Sequence, residues 1–339
     1  KTEFLLHNKP LNNLKFYKMN LQNIFSEIEK VDPEVYQRMD TRRDAMKGFA
    51  KFTDKAAMAA MPLALASMFK KAYGQTPSNV INTLQFALTL EYLEAEFYLR
   101  AVTGMGLPDN MTTGTGRRGP VVGGRAVPFK TPLIKKYAEE IAGDEKTHVA
   151  FLRSALGSAA VSRPRISLDD SFTAAARAAG LIGPHDKFDV YANEVNFLFG
   201  AFIFEDVGVT AYKGAAPLIS NKTYLEAAAG LLAVEAYHAG IIRTTLYALG
   251  VQTPAIYTTV QKISDARDSL DGTTDLDQGI GTAAVANLVP TDANGLAFSR
   301  TAAQVLNIAY LDSEQVTSGG FFPAGVNGSI NTSGDNDND

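Results

Sequence analysis

The sequence contains no cysteine and only four histidines among its 339 residues. Without thiolate ligands the chain cannot build a cysteine zinc site, an iron-sulfur cluster, a disulfide or a lipid-anchored cysteine. Any metal site must therefore use oxygen and nitrogen ligands. Hydrophobic residues make up 46% of the chain, which is enough for a large buried core. The length favours one sizeable domain with additions, or two domains.

Positive charge is scarce outside the first part of the chain. Residues 1–74 contain 13 lysines and arginines against 8 acidic residues, whereas the remainder contains 19 against 28, a net charge of −9. An acidic body without a basic stripe argues against binding to nucleic acid and against attraction to an anionic membrane surface.

Residues 1–74 are predicted to be a leader. Arg42 and Arg43 precede an apolar run from Ala56 to Phe69, an order that resembles a twin-arginine export signal, and cleavage after Gly74 fits it. The run is too short for a membrane span. We therefore expect the export machinery to deliver the protein to the periplasm or otherwise outside the cytoplasm. The alternative interpretation is an N-terminal amphipathic helix that packs on the body.

Residues 75–250 are predicted to form an all-α four-helix bundle. Apolar periodicity and helix-end signals predict four long helices. The first runs from Asn79 to about Thr103, and the second has Thr131 as N-cap and Pro132 as its first residue and ends near Gly157. The third runs from about Asp186 to Lys213, and the fourth from Ser220 or Asn221 to Gly250. A glycine-rich linker joins the first two helices. A longer connector with a short helix at Ser171–Ala179 joins the second to the third, and it is long enough to cross the length of the bundle.

Residues 251–339 are predicted to be a C-terminal extension. Its expected features are helices at Thr258–Leu270 and Ser299–Leu311, and the segment Gly319–Pro323, whose two aromatics pack back on the bundle. From Gly325 onward the residues are mostly small and polar, so we expect the tail to be disordered at its end.

Two of the four histidines occur in a repeated Glu-x-x-His motif, at Glu145/His148 and Glu235/His238. Residues three apart lie on one face of a helix, so each copy directs a carboxylate and an imidazole the same way. Di-iron and di-manganese four-helix bundles use this arrangement, with one further glutamate from each of the other two helices. The repeated motif therefore predicts a pair of metal half-sites.

The two further glutamates are less clearly defined by sequence. On helix one, Glu91 lies on the apolar stripe, and Glu94 lies one turn along on nearly the same face. On helix three, Glu205 follows a strongly apolar run, and Glu194 faces a similar direction in a more polar stretch. We favour Glu91 for its place among Leu84, Leu88 and Tyr98, and we favour Glu205 because it follows the more buried run.

Bound metal ions would offset the free-energy cost of burying four ionised carboxylates. Two divalent ions balance four negative charges, and two neutral imidazoles complete the ligand set. Oxygen-rich ligation with two nitrogens favours iron or manganese over magnesium alone or copper, and zinc can also occupy such a site.

The stretches Leu90–Tyr98, Glu205–Gly214, Val234–Ala239 and Gly319–Pro323 resemble the ferritin-like di-metal carboxylate family, and within it the bacterial subgroup that includes desiccation-related proteins. The resemblance implies that Glu91 and Glu205 are terminal ligands and that Glu145 and Glu235 bridge. It also implies that His148 and His238 each bind one metal.

The function expected from this resemblance is redox chemistry with O2 or peroxide, either oxidation of Fe(II) or removal of peroxide. The alternative is a desiccation or stress protein that binds metal without turnover. A homo-oligomer is compatible with either. The long linker and C-terminal extension differ from a compact cage-forming ferritin, which argues against mineral storage.

Four further side chains near the motifs have weaker predictions. Tyr98, Tyr212 and Tyr237 could tune redox chemistry, although such tyrosines more often pack with a bonded hydroxyl. Arg243 is predicted to be a solvated charge near the end of helix four.

Overall fold

The computed structural model describes residues 77–336. The predicted leader, with its twin-arginine-like motif and apolar run, lies outside the described residues, as do the last three residues of the tail. In the described part, the long helices are α1 Ser78–Thr103, α2 Pro132–Leu156, α4 Glu194–Ala215 and α5 Lys222–Gln252. The shorter elements are α3 Asp170–Ala178, α6 Ala255–Asp271, α7 Ala302–Tyr310, β1 Val121–Val122 and β2 Ile166–Ser167.

The predicted four-helix bundle is confirmed. Helix α1 packs along α2, and α4 packs along α5, while contacts between α1 and α4 and between α2 and α5 close the bundle. The linker after α1 and the crossover after α2 are joined by a two-stranded parallel sheet, in which Val121 pairs with Ile166. Four helices can therefore direct side chains to one interior.

The third bundle helix begins later than predicted. The sequence predicts a start near Asp186, but α4 begins at Glu194. Asn193 explains the difference, because its side chain accepts hydrogen bonds from the backbone N–H groups of Val195 and Asn196 and so caps the helix there. The other predicted helix ends agree with the structure to within three residues.

Aromatic residues fill the core beside the bundle interior. Phe97 stacks on Phe197 with ring centroids 5.3 Å apart. Phe321 packs edge-on against Phe172 and Phe204 at 5.1 and 5.0 Å. The predicted return of Gly319–Pro323 to the bundle therefore occurs, and its two aromatics, Phe321 and Phe322, are both buried in the core.

Two helical stretches, Glu194–Leu218 and Lys222–Gln252, are long and apolar enough to cross a membrane by length and composition. In the first, 78% of the most apolar window is buried, as expected of a core helix that is apolar all round. In the second the buried share is 33%.

The prediction that Arg243 is a solvated charge is wrong. Its side chain is fully buried, and it donates to Asp206 Oδ2 at 2.6 Å and to the backbone carbonyls of Gln278, Gly279 and Asn287 at 2.7–3.0 Å. The loop after α6 folds over this part of α5 and supplies the carbonyls. Sequence periodicity does not show such a covering loop.

Arg243 is part of a buried charge network that joins the extension to the bundle. Arg267 donates to Asp206 at 3.2 Å and to Asp277, and Arg300 donates to Asp271 and Asp277 at 2.5 Å. The network contains three arginines and three aspartates, so its positive and negative charges are equal in number. The C-terminal extension is thereby fixed on α4 and α5.

The polar tail is ordered through residue 336. The side chain of Asn307 donates to the backbone carbonyls of Asp312 and Gly334 at 2.8 Å, and Asn336 donates to Asn307 Oδ1 at 2.8 Å. The buried side chain of Asn307 thus holds the polar segment up to residue 336, and the end of the tail lies outside the described residues.

Candidate metal centre

All six residues predicted to bind metal lie together in the bundle interior. Helix α1 supplies Glu91 and α4 supplies Glu205, each from the middle of an apolar face. Helices α2 and α5 supply the two Glu-x-x-His pairs. The six residues are all buried and comprise Glu91, Glu145, His148, Glu205, Glu235 and His238.

The six residues form two overlapping groups. The first contains Glu91 and His148, the second contains Glu205 and His238, and both groups contain Glu145 and Glu235. Within each group one nitrogen or oxygen of every residue lies within 4.8 Å of the others. Two ions held in these groups would share the two glutamates of the repeated motif.

Both imidazoles direct Nδ1 toward the carboxylates. His148 Nδ1 lies 3.2 Å from Glu91 Oε2 and 3.5 Å from Glu235 Oε1. His238 Nδ1 lies 3.0 Å from Glu145 Oε1 and 3.5 Å from Glu205 Oε2. The ring centroids are 6.1 Å apart, so each histidine serves a different end of the cluster.

The donor atoms of this cluster fit a pair of divalent ions. Both carboxylate oxygens of Glu145 and of Glu235, Glu205 Oε2 and His238 Nδ1 are buried without a hydrogen bond. Buried polar atoms normally have partners, and six orphans in one place require an explanation. Divalent ions coordinated by these oxygens and nitrogens would supply it, since iron, manganese and zinc all accept carboxylate and imidazole ligands.

Burial changes the protonation of the metal-free cluster. Burial raises the pKa of Glu91 to about 7, even though His148 opposes the change. Burial would also raise the pKa of Glu145, but the two adjacent histidines, His148 and His238, outweigh burial and lower its pKa to about 2.

The pKa values of Glu235 and His238 are raised in the metal-free cluster. Burial raises the pKa of Glu235 well above its usual range, and the charge of Glu145 adds to the increase. Burial disfavours protonated His238, but Glu205 and Glu145 outweigh burial and raise the pKa of His238 to about 12. Metal binding must therefore release protons from this cluster.

Two buried tyrosines hydrogen-bond to the carboxylates of Glu91 and Glu205, the outer glutamates of the cluster, in a symmetric arrangement. Tyr98 follows Glu91 by seven residues, and Tyr212 follows Glu205 by seven residues. Each hydroxyl crosses to the other helix: that of Tyr98 donates to Glu205, and that of Tyr212 donates to Glu91. The third tyrosine considered from sequence, Tyr237, is 72% exposed and faces away from the cluster.

Of the two candidate ligands on α4, the third bundle helix, Glu205 lies in the cluster and Glu194 does not. Glu194 lies at the first position of α4, where its carboxylate accepts hydrogen bonds from the backbone N–H groups of Lys130 and Thr131 at 2.8 and 2.9 Å. Glu194 is thus engaged with the start of α2, outside the cluster. Thr131 is the predicted N-cap of α2, but its hydroxyl donates to Glu194 instead of capping.

The two candidate ligands on α1, the first bundle helix, both lie in the bundle interior. Glu91 belongs to the first group, whereas Glu94, one turn along, is buried beside it. Burial raises the pKa of Glu94 well above its usual range, and the charges of Glu235 and Glu145 add to the increase. Glu94 is therefore a fifth carboxyl group near the cluster, one that the sequence analysis considered only as a replacement for Glu91.

Gly208 makes the room that these carboxylates occupy. It lies one turn after Glu205, the position that corresponds to Glu94 on α1. A Cβ atom at Gly208 would lie 2.4 Å from Glu235 Oε2 and 3.4 Å from Glu94 Oε1. No other residue type would fit without displacing Glu235.

Asp144 is a functional candidate that sequence reasoning missed. Its Oδ2 lies 3.1 Å from Nε2 of His238, on the opposite side of the ring from the cluster. A carboxylate in this position fixes the orientation of a metal-binding imidazole. Its place directly before Glu145 was the available signal.

Comparison with known proteins agrees with this geometry. The family described as "Ferritin-like domain" matches residues 79–248, a range that contains all six residues of the cluster. The chain belongs to the ferritin-like family. It is 31% identical over 268 residues to "Desiccation-related protein PCC13-62" from Craterostigma plantagineum, covering 74% of this chain and 84% of that protein.

A second ferritin-like relative has a name that describes an activity. "Ferritin-like catalase Nec2" from Nesocodon mauritianus is 27% identical over 267 residues, covering 74% of this chain and 84% of that protein. No solved structure matches the chain. The similarity to PCC13-62 confirms the predicted relationship to desiccation-related proteins.

Proposed function

We propose that the protein is a di-metal enzyme that removes hydrogen peroxide with two iron or manganese ions. The observation that carries this proposal is the pair of overlapping groups that share Glu145 and Glu235, with orphaned donor atoms directed into the centre. The similarity to a protein named as a ferritin-like catalase supports peroxide as the substrate. Fe(II) oxidation with O2 is the related activity to be measured beside it.

The residues of the cluster and the bound metals would have different roles in the reaction. Glu91, Glu205 and the two shared glutamates would hold the ions, with one histidine at each end. The bound metals would supply the exchange of two electrons with peroxide. The chain itself excludes bulk water, because every donor is buried, and Tyr98 and Tyr212 hold the outer carboxylates in place.

Glu94 offers a proton near the proposed reaction site. Burial raises the pKa of Glu94 well above its usual range, which favours the protonated carboxyl group, and Glu94 lines a small apolar pocket together with Gly208 and Phe204. A carboxylic acid with a matched pKa can donate a proton during oxygen–oxygen bond cleavage. Glu94 would act as the acid, and the ligands would stay ionised.

The proposal is tested with protein loaded with Mn(II) or Fe(II) and assayed for O2 release from hydrogen peroxide. Glu205→Gln should lose this activity, because it removes a charge from the cluster while keeping the size of the side chain. Glu194→Gln, on the same helix but outside the cluster, is the matched control and should retain it. Equal activity in both variants would contradict the proposal.

A second candidate is a metal-binding desiccation or stress protein without turnover. The relative with 31% identity, named as a desiccation-related protein, favours it. This candidate predicts two bound metals but neither O2 release from peroxide nor oxidation of Fe(II). Zinc, which has no redox chemistry, would serve such a protein equally well.

Export through residues 1–74 is a separate proposal based on the twin-arginine-like motif. Replacement of Arg42 and Arg43 by lysine should retain the protein in the cytoplasm of a host that has the twin-arginine machinery. Fractionation that finds both forms in the same compartment would refute export by this route.

A further inference from the structure

A pocket of about 170 Å³ lies beside the metal centre, between α1, α4 and α7. Its walls carry no charged side chain, and most of its lining is apolar. The residues that matter here are Thr83, Phe86, Leu90, Ala211, Tyr212 and Ala302.

One side chain belongs to both the pocket and the metal centre. Tyr212 lines the pocket, and its hydroxyl donates to Glu91 Oε1. A molecule in the pocket would therefore be separated from a candidate metal ligand by a single aromatic side chain. The helix α4 fixes this side chain, which is 7% exposed.

The symmetry-related tyrosine, Tyr98, does not line this pocket. The ring of Tyr98 packs edge-on against Phe97 and Phe197, at 5.1 and 5.6 Å between centroids. Tyr98 and Tyr212 thus make the same kind of hydrogen bond to an outer glutamate, but only Tyr212 lines the pocket described above. The two tyrosines therefore differ in their surroundings, and Tyr212 is the one that adjoins this pocket.

The lining of the pocket defines the chemistry of a ligand. The absence of charge favours a neutral molecule, because an ion would lose its hydration without compensation. The volume is close to that of an apolar cavity known to hold one benzene ring. Thr83, 5% exposed, donates its hydroxyl to Asn79 O at 2.9 Å, so its lone pairs remain to accept from a ligand hydroxyl.

We propose that this pocket binds a single-ring phenol and that Tyr212 carries electrons from the phenol to the metal centre. The electron-transfer part rests on the proposed peroxide chemistry. Two phenols each lose one electron and one proton and become phenoxyl radicals. Hydrogen peroxide gains both electrons and both protons, its oxygen–oxygen bond breaks, and two water molecules form.

The binding step is tested on the full-length metal-free protein by calorimetric titration with phenol. Ala302→Leu places three additional carbons at the wall of the pocket and should weaken phenol binding at least tenfold. Ala229→Leu, on the exposed face of α5, is the matched control and should leave it unchanged. Absence of phenol binding to the unmodified protein, or equal binding by both variants, would overturn the pocket assignment.

The electron-transfer step is tested on metal-loaded protein by the ratio of phenol oxidation to O2 release from peroxide. Tyr212→Phe should lower this ratio at least tenfold, whereas Tyr98→Phe, which loses an equivalent hydroxyl, should keep it. Equal ratios would overturn the role of Tyr212.

The two proposals fail in distinguishable ways. Pocket-dependent phenol binding without any peroxide reaction would refute the peroxide function and the electron path while upholding the binding site. A peroxide reaction without phenol binding would uphold the function and refute this inference.

Discussion

Substitution of Gly208 by alanine tests whether the centre depends on the space that this glycine leaves. The added Cβ would lie 2.4 Å from Glu235 Oε2. Ordinary contacts between heavy atoms are about 3.5–4.0 Å, so the carboxylate must move by roughly 1 Å. Metal sites tolerate changes in ligand distance of only about 0.2 Å. We expect Mn(II) affinity to fall about 10- to 100-fold, the range found when the surroundings of metal ligands are altered.

Gly230→Ala provides the matched control. Gly230 is also helical and has no heavy atom within 4 Å of an added Cβ. Alanine there should stabilise the protein by roughly 0.5–1 kcal/mol through helix propensity, with metal affinity unchanged. Calorimetric titration of Mn(II) into the metal-free variants, together with urea unfolding, measures both quantities. Wild-type affinity in Gly208→Ala would refute the packing argument.

Three further predictions follow from buried charge. Asp277→Asn leaves buried arginine charge without its partner, and urea unfolding should show a loss of about 3–5 kcal/mol; a loss below about 1 kcal/mol would contradict the network. Asp144→Asn weakens the orientation of His238, so Mn(II) titration should show about 10- to 100-fold weaker binding at one of two sites, and equal weakening at both would refute this assignment. The pKa of Glu91 is about 7 in the folded protein and near 4.5 in the unfolded chain, so between these pH values the folded metal-free protein binds a proton that the unfolded chain has released. The free energy of unfolding of the metal-free protein should therefore fall between pH 4.5 and 7, by on the order of 3 kcal/mol from this group. A rise in the free energy of unfolding over that range would contradict this assignment.

The fold was predictable because its signals are local and repeated. Apolar periodicity, proline at the start of α2 and the asparagine before α5 define helices without knowledge of tertiary structure. The start of α4 was missed because the sequence before Asn193 has few strong breaking signals. Asn193 itself carried the information, since asparagine is a favoured N-cap.

The cluster was predictable for a different reason. Glu-x-x-His places two donors on one helical face, and its repetition implied a shared interior. The positions of Glu91 and Glu205 followed from burial, which requires compensation for a carboxylate. The roles of these residues as metal ligands stay predictions.

The surroundings of the cluster could not be predicted. Asp144 touches His238 across 94 residues of sequence. The loop that buries Arg243 comes from the extension, and the space at Gly208 is filled by a side chain of α5. Each depends on how separate elements pack, which helical periodicity does not encode.

The number of metal ions bound per chain tests the central claim most directly. Metal-free protein dialysed against Mn(II) should retain two ions per chain by elemental analysis. His148→Ala and His238→Ala should each retain about one, because the structure places the two imidazoles at opposite ends of the shared carboxylates. Wild-type protein that binds one ion or none, or two variants that both keep two ions, would contradict a di-metal centre built from these six residues.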